Sequence, residues 1–385
     1  MAGKWLKIAA FLSAALMTGG CWDMHDIEDV NYVNAIGIDY SEESRKFTIY
    51  AQLLDFSSVA KQETGPSKGP AITYVGKGQG STLNLAINDL YATSQQRMFW
   101  AHVASILVSD AALRHGIGDF SDGMKRYREV RFTPLVYGAH ESMENLLSMT
   151  GFFNLSPINT IENTVRENYR QKSMIAPMQW LRFLADRLEP GKTIVLPTLK
   201  VNDKQWHKKG KPERKPEIDG AYVLHGDEWK GWFSIQDLHG LRWVQKDSVR
   251  TPLEVRQGDK VIAVLSLDRP KASVKVSFEQ GKPYYRIKIK VDGNVVEQYG
   301  NHNETRLLRL AEEVLESEVT RTFERTVEAN ADVYQLEYVT YRHDYRRWKK
   351  WRNSGGEFAR PDALREVTAD IRIEHHGMQN TYHIQ

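Results

Sequence analysis

The chain has 385 residues, 41% hydrophobic and 26% charged, which are the proportions of globular domains and too much chain for a single ordinary core. Its net charge is +3, and with Lys4 and Lys7 set aside 50 basic face 49 acidic side chains, so the strong basic field of a nucleic-acid binder is missing. One cysteine, Cys21, excludes an intramolecular disulfide and a cysteine-based metal site, and no later stretch approaches the 18 apolar residues that suggest a membrane span.

The N-terminus reads as an export signal. Lys4 and Lys7 form a positive start, Ile8 to Met17 an apolar segment too short to span a bilayer, and Thr18, Gly19 and Gly20 the small residues of a cleavage site. A small-residue run ending directly in cysteine is the lipobox pattern of lipoproteins, here with Thr18 where Leu is usual. The expectation is that residues 1–20 are removed, Cys21 is lipidated, and a soluble body is tethered to a membrane face. The alternatives are a secreted protein with a free cysteine and a cytosolic protein with an apolar N-terminal strand.

Val33 to Ile38 and Lys46 to Leu54 are strand candidates expected to pair. Lys61 to Pro70 reads as a loop. Gly76 to Ser81 leads into a helix capped by Ser81 or Thr82, with Leu83, Ala86, Ile87, Leu90 and Tyr91 at helical spacing. The glycines there lack the spacing of a phosphate loop and read as a strand-to-helix turn. Arg97 to Val108 reads as one central strand, with His102 as a satisfied core histidine. Residues 110–128 read as a helix, Val130 to Ala139 as a strand and Ser142 to Met149 as the start of a helix, while 150–172 is polar and carries no clear pattern. Pro177 with Trp180, Leu181, Leu184 and Leu188 predicts an amphipathic helix that stops at Pro190-Gly191. This interleaving implies an α/β or α+β first half with one mixed sheet.

Asn202 to Glu217 is a composition break with six basic residues between Lys204 and Lys215, read as a solvated interdomain loop in preference to a headgroup-binding segment. Gly220 to Leu224 is a strand. From 261 a β-meander follows: strands Val261 to Leu267 and Ala272 to Phe278, a turn at Glu279 to Lys282, and an alternating strand from Tyr285 to Val291 ended by an Asp292-Gly293 hairpin turn. Asn303 to Glu328 is one long helix with the stripe Leu307, Leu310, Ala311, Val314, Leu315, Val319, Phe323 and Val327, expected to pack across the meander. Its Glu312, Glu313, Arg306, Arg309, Arg321 and Arg325 read as a solvent face. Val367 to Ile373 alternate as a last strand. His375 and His376 are adjacent, so on a strand they point apart and do not suggest a metal site. No catalytic constellation appears.

Taken together, these residues resemble the Ger(x)C family, the lipoprotein C subunits of spore germinant receptors. The resemblance rests on Cys21-Trp22-Asp23, Gly37-Ile38-Asp39, Gly76 to Ser81 and Phe99-Trp100-Ala101-His102. It continues through Gly220-Ala221, Gly231-Trp232, Gly240-Leu241-Arg242-Trp243, Ala331-Asp332-Val333, Tyr341-Arg342 and Trp348-Lys349-Lys350. Residues 334–340 replace the family's Gly-containing segment. The resemblance implies an α+β fold of three domains, each a β-sheet flanked by helices. The divisions are expected at 21–200 (N-terminal α/β), 201–256 (linker and small middle domain) and 257–385 (meander and long helix). It also implies a non-enzymatic, palmitate-bearing subunit without cofactor, catalytic residue or metal. Its partners would be the membrane and the integral-membrane A and B subunits, and its place the outer face of the spore inner membrane, in nutrient-triggered germination. An extracytoplasmic solute-binding lipoprotein and a membrane-tethered hydrolase stay open as alternatives.

Overall fold

A computed structural model describes residues 30–54, 72–126, 129–300 and 302–375, together with Gly3 and Lys4. Cys21 and the apolar segment Ile8 to Met17 expected to form its signal, the loop expected at Lys61 to Pro70, and His376 lie outside the described residues. The chain folds as sheets flanked by helices in an α+β arrangement, as the motifs imply.

The first strands are β1 (Val30–Ser41), β2 (Lys46–Leu54) and β3 (Thr73–Gly80), joined antiparallel as β1–β2–β3. Helix α1 (Leu83–Tyr91) follows, capped by Thr82, whose hydroxyl accepts from the Leu85 N–H. A Cβ on Gly78 would lie 2.2 Å from the Ala86 carbonyl and one on Gly80 2.4 Å from the Ala86 nitrogen, so these glycines let α1 lie directly on β3. The expected strand-to-helix turn is therefore confined to Ser81 and Thr82, while Gly76 to Gly80 lie within β3 and pair with β2.

The apolar run 97–108 is two strands, not one: β4 (Arg97–Phe99) and β5 (Ser105–Ser109). Between them Trp100 turns fully into the core and donates its Nε1–H to the Tyr91 hydroxyl at 3.1 Å. Burying the indole bends the chain out of the sheet. His102 is consequently exposed, edge-on to Tyr32 with ring centroids 5.3 Å apart, and is not a core histidine. Helices α2 (Asp110–His115) and α3 (Ile117–Arg126) replace the single helix expected over 110–128, parted by Gly116 at φ 147.

Next come β6 (Leu135–Ala139), α4 (Met143–Leu147), α5 (Ile161–Gln171), β7 (Met178–Gln179) and α6 (Trp180–Leu188). Helix α6 is rotated relative to the sequence reading: Trp180, Phe183 and Leu184 are buried, whereas Leu181 and Leu188 face solvent. Strands β8 (Thr193–Asn202), β11 (Lys215–His225) and β12 (Glu228–Ser234) then complete a ten-stranded sheet in the order β12-β11-β8-β6-β5-β1-β2-β3, with β4 and β7 attached to β1 and β6. The basic segment at 202–217 is therefore largely structured. β8 and β11 pair as far as Asn202 and Lys215, and a small hairpin of β9 (His207–Lys208) and β10 (Lys211–Pro212) extends beyond them.

After α7 (Leu241–Val244), a second sheet forms from β13 (Arg250–Gln257), β14 (Lys260–Glu279), β15 (Lys282–Gln298) and, after the helices, β16 (Leu364–His375). Asp292-Gly293 is not a turn. It lies inside β15, where a Cβ on Gly293 would sit 2.3 Å from the Ser266 carbonyl of β14, so the glycine serves close strand approach. The turn is at Gln280-Gly281, both left-handed with φ 52 and 84. The two strand candidates before it merge into one bent strand, broken by a register shift at Asp268/Lys271.

Helices α8 (Glu304–Val327), α9 (Leu336–His343) and α10 (Tyr345–Asn353) complete the fold. Asn303 caps α8, whose buried stripe Leu307, Ala311, Leu315, Val319, Phe323 and Val327 shares a core with Leu253, Leu265, Ile287 and Ile289 of the second sheet. Val195, Val223 and Phe233 of the first sheet enter that same core, so both sheets close around shared apolar packing. The first sheet also meets α1, α3 and α6 around Ile36, Ile38 and Ile49 in one core, and α4 around Leu107 and Tyr137 in another. Glu312 leaves the expected solvent face of α8. With Glu316 it accepts the N–H groups of Ile371 and Ala369 at 3.1 and 2.8 Å, covering the free edge of β16.

Candidate functional site: the seam between the two sheets

Three motif groups singled out in the sequence meet where α7, α8 and α9 join the first sheet. Gly240 comes so close to α8 that a Cβ there would lie 2.5 Å from the Glu318 carbonyl oxygen, and its N–H donates to the Thr322 hydroxyl at 2.9 Å. That approach delivers Arg242 to Glu318, with Nη2 donating to both carboxylate oxygens at 2.9 and 2.8 Å, while Trp243 Nε1 donates to the same carboxylate at 2.6 Å. Arg242 and Trp243 are buried, so this charge pair is kept in the interior by its hydrogen bonds.

Asp332 ties the start of α9. Its carboxylate accepts the Leu336 and Glu337 N–H groups, both at 2.8 Å. Burial pushes its pKa up to about 7, although those N–H groups pull the other way. The adjoining Gln335 is left-handed at φ 61, which turns its side chain onto β8. There it forms a two-way amide pair with the Thr193 backbone: the Thr193 N–H donates to Oε1 at 3.0 Å and Nε2–H to the Thr193 carbonyl at 2.7 Å.

Glu337, buried next to it, gathers a third group. It accepts from Trp348 Nε1 at 3.1 Å and from Arg352, and lies 3.5 Å from His225 Nε2. Burial holds the His225 pKa below its ordinary value, against the pull of Glu337.

Beside these clusters runs a groove of about 880 Å³ between the first sheet and α7 and α9, lined among others by Pro177, Arg182, Lys192, Gln335, Tyr338 and Arg342. Arg182 is engaged by Asp186 and Asp247 at 3.6 and 3.2 Å. Lys192 lies 4.1 Å over the Tyr338 ring, and burial lowers its pKa. The groove lining thus mixes both charges, Lys192 and Arg342 with Asp186 and Asp247, around the Tyr338 ring on which Lys192 rests. Among the described residues no three His, Cys, Asp or Glu side chains come close enough to hold a metal ion.

The structure thus brings Gly240 to Trp243, Asp332, Arg342 and Trp348 to one seam, and leaves Gly37 to Asp39, Gly76 to Ser81 and Phe99 to His102 on the far strands and turns of the first sheet. The sequence reading missed Gln335 and Glu162. Glu162 is buried on α5, and burial pushes it up to about 7. The spacing Glu162, Val165, Tyr169 places it on the buried stripe of that helix and was the signal available.

Comparison with known proteins gives the same assignment along nearly the whole chain. Residues 23–201 match the spore germination protein N-terminal domain, and residues 219–377 match the spore germination B3/GerAC-like C-terminal domain. Spore germination protein KC of Bacillus subtilis (strain 168) is 22% identical over 400 residues, covering 99% of this chain and 98% of its own length. Spore germination protein B3 of the same organism is 23% identical, covering 87% of this chain and 86% of its own. The crystal structure of the GerBC protein shares the fold, with a TM-score of 0.54 and 17% identity over 88% of this chain and 96% of that one. With both domain models matched in order, the chain belongs to the Ger(x)C family of spore germination proteins.

Proposed function

We propose that the protein is the lipid-anchored, non-enzymatic C subunit of a spore germinant receptor. It acts with integral-membrane A and B subunits on the outer face of the spore inner membrane in nutrient-triggered germination. The observation that carries this reading is positional. The lone Cys21 closes a signal-like run, and the family's N-terminal domain begins at residue 23, two residues later. Among the described residues no helix is long and apolar enough to cross a membrane. Two acyl chains suffice for stable anchoring, each buried methylene contributing about 0.8 kcal/mol.

The test is Cys21→Ala in spores, read by membrane fractionation and by the mass of the mature N-terminal peptide. Wild type should give a diacylated peptide in the membrane fraction, and the variant a soluble protein with impaired germination. An unmodified Cys21 peptide in wild type would refute the anchor. Co-purification of the wild-type protein from spore membranes without A or B subunits would refute the assembly. The groove beside Lys192 and Tyr338 favours a second reading, a solute-binding lipoprotein. A raised melting temperature in the presence of one germinant from a panel would favour it over the first.

A further inference from the structure

The geometry points to a membrane-docking tip on the protein body: Phe152, Phe153, Leu155 and Trp206 together with the basic β9–β10 hairpin form a surface for anionic phospholipid. Two loops far apart in sequence build it. Trp206 packs edge-on against Phe152 at 4.9 Å, and Phe153 lies 6.3 Å from Phe152. Lys215 fastens the loops together, with Nζ donating to the Thr150 carbonyl at 2.8 Å while lying 4.8 Å over the Phe152 ring. The Asn202 side chain accepts from the N–H groups of Lys204 and Gln205 and fixes the entry to the hairpin.

These side chains are not covered. Phe153 is 94% exposed, Trp206 53%, Leu155 48% and Phe152 40%. Phe153 is also left-handed at φ 57, a conformation costly for an aromatic residue, and it holds the ring outward instead of relieving its exposure. Around them the segment Asp203 to Lys215 carries six basic and two acidic side chains. The hairpin turns at Lys209-Gly210, both left-handed with φ 51 and 79, and every residue from His207 to Pro212 is exposed.

The tip thus carries exposed aromatic rings beside an exposed basic hairpin. It suits a soft interface, where Trp and Phe rings settle at headgroup depth and lysines reach the phosphates. Charge complementarity selects an anionic lipid. Because β1, β5, β6 and β8 run parallel, the tip beyond Asn202 lies at the end of the first sheet opposite Val30, so it is a contact separate from the proposed Cys21 anchor. The sequence reading of this segment as a solvated loop lacked its aromatic neighbour, which only the fold supplies.

The test uses the mature chain from residue 21 carrying Cys21→Ala, so that acylation contributes nothing and a failed anchor reading leaves the result intact. Co-sedimentation with phosphatidylglycerol-containing vesicles should exceed that with pure phosphatidylcholine and fall with salt. Phe153→Ala with Trp206→Ala should weaken binding about tenfold, and each of Lys208→Gln and Lys211→Gln about fivefold. Circular dichroism melts should match those of the parent, since these side chains are exposed. Equal binding to both vesicle types, or unaltered binding by the aromatic double variant, would overturn the proposal. So would a photo-crosslinker at position 206 that labels a protein and no lipid in spore membranes.

Discussion

Glu162 illustrates how single residues carry the pH response of this fold. Its carboxylate has an ordinary value of 4.5, which burial raises to about 7, against the pull of Thr160, of its own N–H and, more weakly, of Lys215. Between those values the folded chain keeps a proton that the unfolded chain has lost. Stability is therefore greatest below about pH 4.5 for this group, declines as pH rises, and is lost above pH 7, by on the order of 3 kcal/mol. Asp332, also raised to about 7, acts in the same direction. Melting temperature should consequently be higher at mildly acidic than at alkaline pH. Glu162→Gln should raise the alkaline value and flatten part of the slope, Asp332 supplying the rest. An unchanged slope would mean that water reaches Glu162. Gly240→Ala addresses a different constraint. The new methyl meets the α8 backbone at 2.5 Å, and the expected loss is about 1–3 kcal/mol in a denaturation series.

Helix α8 is the clearest test of element-level reasoning. Phe323 is buried against the second sheet and Arg321 faces solvent, so Phe323→Ala should cost about 3–5 kcal/mol and Arg321→Ala less than about 0.5 kcal/mol. Thermal melts ranking them the other way would mean the helix docks through a different face. Its polar face is not uniform. Glu318 satisfies Arg242 and Trp243 in the interior, so Glu318→Ala should cost about 3–5 kcal/mol by stranding the guanidinium, an order that Glu313→Ala on the exposed face should not approach. Sequence periodicity located the apolar stripe because helical neighbours are set by local geometry. It placed Glu312 and Glu313 together on the wet side, because only the distant strand β16 supplies the N–H that Glu312 accepts.

At the scale of the molecule, the two sheets share a core and are pinned by the Gln335–Thr193 amide pair. Gln335→Ala should leave each sheet folded yet speed hydrogen exchange of the Thr193 amide about tenfold, the loss of a bond worth about 1 kcal/mol or more. Unaltered exchange would show that packing alone holds the seam. What the sequence by itself determined is local or compositional: the position of Cys21, the pairing of β1 with β2, the alternation of β15 and the span of α8, all governed by short-range geometry and patterning. The same short-range logic misread Arg97 to Val108 and Asp292-Gly293, where a buried indole and a facing strand overrule propensity. Tertiary structure alone decided that Leu181 and Leu188 are wet, that Gly240 to Trp243 meets Asp332 at one seam, and that Phe152 meets Trp206 on a basic tip. Each of these depends on contacts between residues tens to more than a hundred positions apart, and no local propensity specifies which distant surface a side chain will meet.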